Sequence, residues 1–237
     1  MKVRYLIKFS KESNIKFIAH LDFMRTIQRM IKRSGLPAEY SKGFNPHINM
    51  SMAQPLAVGV YSSGDYMDVA FEEEIDNNII KDNLNSSAPM GIRIIEVVKI
   101  KEEQNKKVFK SMAAIDAAKY HIAIKYDNIQ CLDEEIKKLL SSSQWVTIKK
   151  SKSGENTVDI KPMIKNFEYE IRENALVINT IISCGSRENL SPELLAAFIQ
   201  ENTTGAKVNS FVDIKREEMY AETKKKLVPL YEYAKMI

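Results

Sequence analysis

The apolar residues of this chain change period in a fixed rhythm over its first hundred residues, and few folds accommodate that rhythm. Residues 3–9 alternate, with Val3, Tyr5, Ile7 and Phe9 set against Arg4 and Lys8, the pattern of a half-buried strand. Residues 20–34 switch to helical period and place Phe23, Met24, Ile27, Met30 and Ile31 on one side. Gly35-Leu36-Pro37 stops that helix, with glycine at the C-terminal cap and proline just beyond. Strand signals follow at 48–52 and at 65–72, where Tyr66, Asp68 and Ala70 alternate with Met67, Val69 and Phe71. Asp76 is placed to cap a helix over 77–86, Pro89-Met90-Gly91 ends it, and 92–100 is rich in β-formers. The order β-α-β-β-α-β predicts a ferredoxin-like domain.

The second half repeats the rhythm more faintly. Strand-like 119–126 precedes a helix at 132–140, and two short strands at 145–150 and 157–161 flank the turn-like 151–156. Residues 167–172 and 176–183 read as a hairpin about Glu173-Asn174-Ala175. Ser191-Pro192-Glu193 opens a helix reaching about Gln200, and 211–215 suits a closing strand. The expected class is therefore α+β: two ferredoxin-like (βαββαβ-type) domains with antiparallel sheets, plus a C-terminal helical tail. The expected boundaries are 1–100 for the first domain and 101–114 for a linker around the polar KEEQNKK run. A second α+β domain follows at 115–216, and a helix or tail at 217–237. The two halves share an element order but no alignable repeat.

Composition narrows the function classes. The net charge of +4 permits an anionic partner without requiring one. Cys131 and Cys184 are far apart and in no metal-ligand spacing, which argues against a disulfide framework and against a zinc or iron–sulfur site built by this chain. The start MKVRYLIKFS lacks the apolar core of a signal peptide, and no apolar run approaches a membrane span; the expected location is the cytoplasm. The chain has no GxxxxGK[ST], no GxGxxG after a strand, no HExxH and no GxSxG.

Residues 40–59, YSKGFNPHINMSMAQPLAVG, gather two of the eight glycines and two of the seven prolines around Phe44, Asn45 and His47. Such a segment specifies one backbone path rather than a flexible linker. Three pieces occur in order: KFIAHLDFMRTIQRMIKRSGLPAEYS, KGFNPHINMSMAQPLAVGV and SSGDYMDV. Together they resemble the bacterial radical-SAM-linked domain of unknown function, in a stand-alone form. The resemblance covers about residues 1–100, with a shorter stretch at 157–164; Asn49 departs from its usual Pro-Lys-Ile after the histidine. It implies a radical-SAM protein as partner and an accessory role for this chain. S-adenosylmethionine and an iron–sulfur cluster would belong to that partner, since this chain has no CxxxCxxC cluster.

Several residues are candidates for a site. Arg25, Arg29, Lys32 and Arg33 fall within about 80–100° of the 20–34 helix, opposite its apolar side, with Asp22 in its first turn. Such a stripe suits phosphate contact, or is simply a solvated face. Tyr40, Lys42, Phe44 and Asn45 combine aromatic, cationic and amide groups suited to stacking on exposed bases, or to anchoring the loop. His20 and His47 are candidates for acid–base or anion chemistry, or for capping and loop anchoring; His121 lies in a strand and suits packing. No metal is expected. Asp65 and Asp68, three apart on a strand, should face opposite ways. The leading expectation is an accessory module that binds RNA, or an RNA-containing substrate, through the 20–34 helix and the 40–59 loop. The alternatives are a metal-independent RNA-processing endonuclease and a protein-interaction scaffold for the radical-SAM subunit.

Overall fold

A computed structural model describes residues 2–101, 109–151, 154–224 and 226–237. In chain order the elements are β1 (Val3–Lys11), α1 (His20–Arg33), β2 (Met50–Met52), β3 (Val60–Phe71), α2 (Asn77–Ser87), β4 (Ile92–Ile100) and α3 (Ser111–Ala114). They continue with β5 (Ala117–Lys125), α4 (Leu132–Ser141), β6 (Val146–Ser151), β7 (Gly154–Asp159), β8 (Ile164–Arg172) and β9 (Ala175–Ser183). Last come α5 (Pro192–Glu201), β10 (Asp213–Thr223), β11 (Lys226–Pro229) and α6 (Leu230–Met236). None of the described helices is long and apolar enough to cross a membrane.

Contacts divide the chain into two units. The first comprises Met1–Asp116 with Arg216–Ile237, the second Ala117–Lys215. In the first unit β1 pairs antiparallel with both β3 and β4, and β2 pairs antiparallel with β3. The strand order β4-β1-β3-β2 is that of a ferredoxin-like sheet. The alternation in β1 sends Tyr5, Ile7 and Phe9 to the helix side, where they meet Phe23, Ile27, Met30 and Ile31 of α1 and Ile80 and Leu84 of α2. Burying such side chains contributes about 1.5–3 kcal/mol each. The terminal signals work as their chemistry predicts. Gly35, at φ +72°, takes the left-handed position after α1, and Asp76 Oδ1 accepts from the main-chain nitrogens of Asn78 and Ile79.

In the second unit β5 pairs antiparallel with β9 and β9 with β8, and α4, α5 and the start of β10 complete the same element order. The two short strands at 145–150 and 157–161 turn out to be partners: β6 and β7 form a separate two-stranded hairpin inserted between α4 and β8. Trp145 anchors its base. Its ring stacks on Phe198 at 5.3 Å, and its indole N–H donates to the Leu139 carbonyl.

The class is α+β, as the periods predict. The C-terminal segment is different from the helix or tail expected over 217–237. Its first part continues β10 to Thr223, β11 pairs back on it, and helix is confined to α6. Alternation of Met219 and Ala221 with polar residues favours strand there. Most of the expected linker, residues 102–108, lies outside the described residues; its far end carries the single turn α3.

Candidate functional site

The 40–59 segment builds an anchored finger. Tyr40 and Ile48 form an antiparallel bridge. Within it, Ser41 N donates to His47 O at 2.8 Å, and His47 N donates to Ser41 Oγ at 3.1 Å. Below the bridge Asn49 N donates to Glu39 O, Glu39 N to Ala70 O and Ala70 N to Asn49 O, so the base is stitched to the end of β3. Above it Lys42, Phe44, Asn45, Pro46 and His47 are exposed, and Phe44 is as accessible as in an extended chain, at 106%. Phe44 does not pin the loop to the core; Ile48, 5% exposed, does.

The outer face of α1 reaches this finger through Lys32, whose ammonium lies 5.9 Å from the Tyr40 ring centroid, within cation–π range. Asp22, Arg25, Arg29, Lys32 and Arg33 are all exposed. Arg25 pairs with Asp22 at 2.9 Å, and Arg33 donates to the Ser87 carbonyl at 2.9 Å; no such partner is found for Arg29 among the described residues. An exposed pair of this kind is worth about 1 kcal/mol at most, so a phosphate can displace it.

The two histidines are not joined. His47 stays on the finger, whereas His20, half-buried as the first residue of α1, lines a small pocket on the helix side of the sheet. Residues from all three sequence pieces converge there: His20 and Phe23 from the first, Met52, Gln54, Pro55 and Leu56 from the second, Asp65 from the third. Phe9 and Lys11 of β1 complete the lining. His121 is bonded through Nδ1 to Asn179 Oδ1, across the β5–β9 pair.

Beneath the pocket lies a charged cluster. Asp65, 4% exposed, accepts from Arg216 Nε and lies equally close to Nη2, both at 2.7 Å; Nη2 also donates to the Gln54 carbonyl at 2.8 Å. Burial pushes the Asp65 carboxyl up, and the Arg216 guanidinium opposes that shift. Lys11, 2% exposed, donates to the carbonyls of Lys16 and Ile18, both at 3.1 Å. Burial pulls its ammonium down, with Asp65 opposing and Arg216 reinforcing. Asp68 faces the other way, accepting from Ser111 N and Oγ at 3.1 and 2.6 Å, so the two carboxylates do not share a site.

Lys11 and Arg216 were not among the sequence candidates. For Lys11 a signal exists: it occupies the inward register after Val3, Tyr5, Ile7 and Phe9, where a cation breaks the alternation. For Arg216 there is no local signal, because its partner lies 151 residues away. Among the described residues no group of three or more His, Cys, Asp or Glu is placed to hold a metal ion.

These features define an α+β protein with a βαββαβ first unit, an anchored aromatic finger and a charged pocket at the start of α1. The chain belongs to the family described as an uncharacterized protein conserved in bacteria, DUF2344, whose sequence model matches residues 4–192. No curated protein matches it. Among solved structures, an unknown protein from Galdieria sulphuraria is 11% identical with a TM-score of 0.26, over 91% of this chain and 99% of the other. A candidate glycine cleavage system transcriptional repressor is 8% identical with a TM-score of 0.22, over 90% and 96% of the two chains. With scores this low, the fold assignment rests on the strand order described above.

Proposed function

We propose that this chain is an accessory RNA-binding module that presents RNA, or an RNA-containing substrate, to a radical-SAM partner. The observation that carries the reading is Phe44, fully exposed at the tip of a hydrogen-bonded finger, beside Lys42, Asn45 and His47. An aromatic ring held out of the core by ordered backbone suits stacking on an unpaired base, worth about 1–3 kcal/mol. The cations of α1 approach the same finger through the Lys32–Tyr40 contact and suit the phosphates that follow the base. The radical-SAM association comes from the sequence resemblance.

Fluorescence anisotropy with single-stranded RNA tests the reading. Phe44→Ala should weaken binding about tenfold or more while leaving the melting temperature unchanged. Equal affinity in wild type and variant would remove the finger from any RNA role. RNA cleavage lost in His20→Ala or His47→Ala would replace the accessory reading with the endonuclease one.

A scaffold reading has one observation of its own. Phe17, Leu21 and Val58 are exposed at 63%, 68% and 59%, and the Gly59 N–H to Lys16 O bond brings the segments bearing Phe17 and Val58 together. Association with the radical-SAM subunit that survives nuclease and is lost in Leu21→Glu would favour it.

A further inference from the structure

We propose that the pocket at the start of α1 binds one oxyanionic group, a phosphate or a carboxylate, with Lys11 as its counter-charge and His20 as a second donor. The charge balance argues for it. Three ionisable side chains at most 4% exposed lie together beneath the pocket: Lys11, Asp65 and Arg216. Asp65 is engaged by the Arg216 guanidinium at 2.7 Å, which leaves one formal positive charge on Lys11. Lys11 meets two main-chain carbonyls and the ring of Phe23, 5.5 Å from its centroid, and none of these carries a full counter-charge. A buried cation so placed is costly unless an anion joins it or it loses its proton. Lys11 and His20 both line the cavity, as does Asp65, whose charge the Arg216 guanidinium offsets.

Phe9, Phe23, Met52 and Leu56 surround the polar groups with apolar walls. Apolar walls strengthen the attraction by lowering the local dielectric. This site is separate from the Phe44 finger, and its occupation does not depend on RNA binding.

The test is an amide-resolved NMR titration of the full chain with inorganic phosphate, and in parallel with acetate, at constant ionic strength maintained with sodium chloride. Saturable shifts centred on residues 11, 20, 54 and 65 are expected with at least one of the two. Lys11→Met should weaken binding about tenfold or more, the loss expected for a charge-assisted hydrogen bond. His20→Ala, at a half-exposed position, should weaken it while preserving the fold and so serves if Lys11→Met unfolds. Saturation by phosphate alone assigns a phosphate ligand, by acetate alone a carboxylate ligand, and by both a general oxyanion site. Shifts that rise linearly, centre elsewhere or persist unchanged in both variants would overturn the proposal.

Discussion

At the residue scale, the position of the buried charge depends on one missing methyl group. An added Cβ on Gly64 would stand 2.2 Å from the Glu217 carbonyl oxygen, so only glycine lets β10 lie against β3 at this point. Asp65 and Arg216 are the next residue on one strand and the preceding residue on the other, and their pairing needs that approach. Gly64→Ala should therefore cost about 3 kcal/mol or more, visible as a lowered urea midpoint; an unchanged midpoint would show that the strands can part cheaply. Lys11 gives a pH signature. Its folded-state pKa lies below the unfolded value of about 10.4, so between the two the unfolded chain binds more protons and stability rises with pH. The stability of wild type relative to Lys11→Met should increase with pH as the unfolded-state value of about 10.4 is approached from below in urea titrations. A constant or falling difference would show that Lys11 is not destabilised as an ammonium.

At the element scale, α1 serves two surfaces with one sequence. Its apolar stripe fixes it on the sheet, which turns the cations outward and sets His20 against the pocket. The cations are not equivalent. Asp22 already neutralises Arg25 locally, while Arg29 has no such carboxylate partner among the described residues. Arg29→Ala should lower the salt dependence of RNA affinity by about 0.7 in log–log slope, the value for one lost phosphate contact to a single strand, and Arg25→Ala by less. Equal slopes for Arg29→Ala and wild type would make this face a solvated one. The helix, its stop at Gly35 and its outward cations are legible in the sequence because they are local, periodic signals. The finger's composition is legible too, but whether Phe44 points inward or outward is not, since either answer fits the same residues. That was decided by Ile48 and the Tyr40–Ile48 bridge.

At the scale of the whole molecule, the first unit is not a continuous stretch of chain. Arg216 and Glu218 complete it: Arg216 meets Asp65, and Glu218 accepts from Tyr66 Oη at 2.6 Å and pairs with Lys8 at 2.5 Å. A fragment ending at Asp116 removes the Arg216 partner of Asp65 and the Glu218 partner of Tyr66 and Lys8 from a domain whose whole stability is about 5–15 kcal/mol. Such a fragment should lack a cooperative thermal transition by circular dichroism, and fusing residues 213–237 to it should restore one. A cooperative melt at the temperature of the intact chain would show that the return segment is dispensable.

By itself the sequence determined the α+β class, the β-α-β-β-α-β order, the ends of the helices and the outward stripe of α1, because each follows from the spacing and chemistry of neighbouring residues. Only the tertiary structure decided that 216–237 returns to the first unit and that His20 parts from His47. The same holds for the juxtaposition of Lys11, Asp65 and Arg216 beneath one pocket. These are contacts across tens to more than a hundred residues, fixed by strand pairing and by burial of charge, and no local pattern encodes which distant residue will meet which.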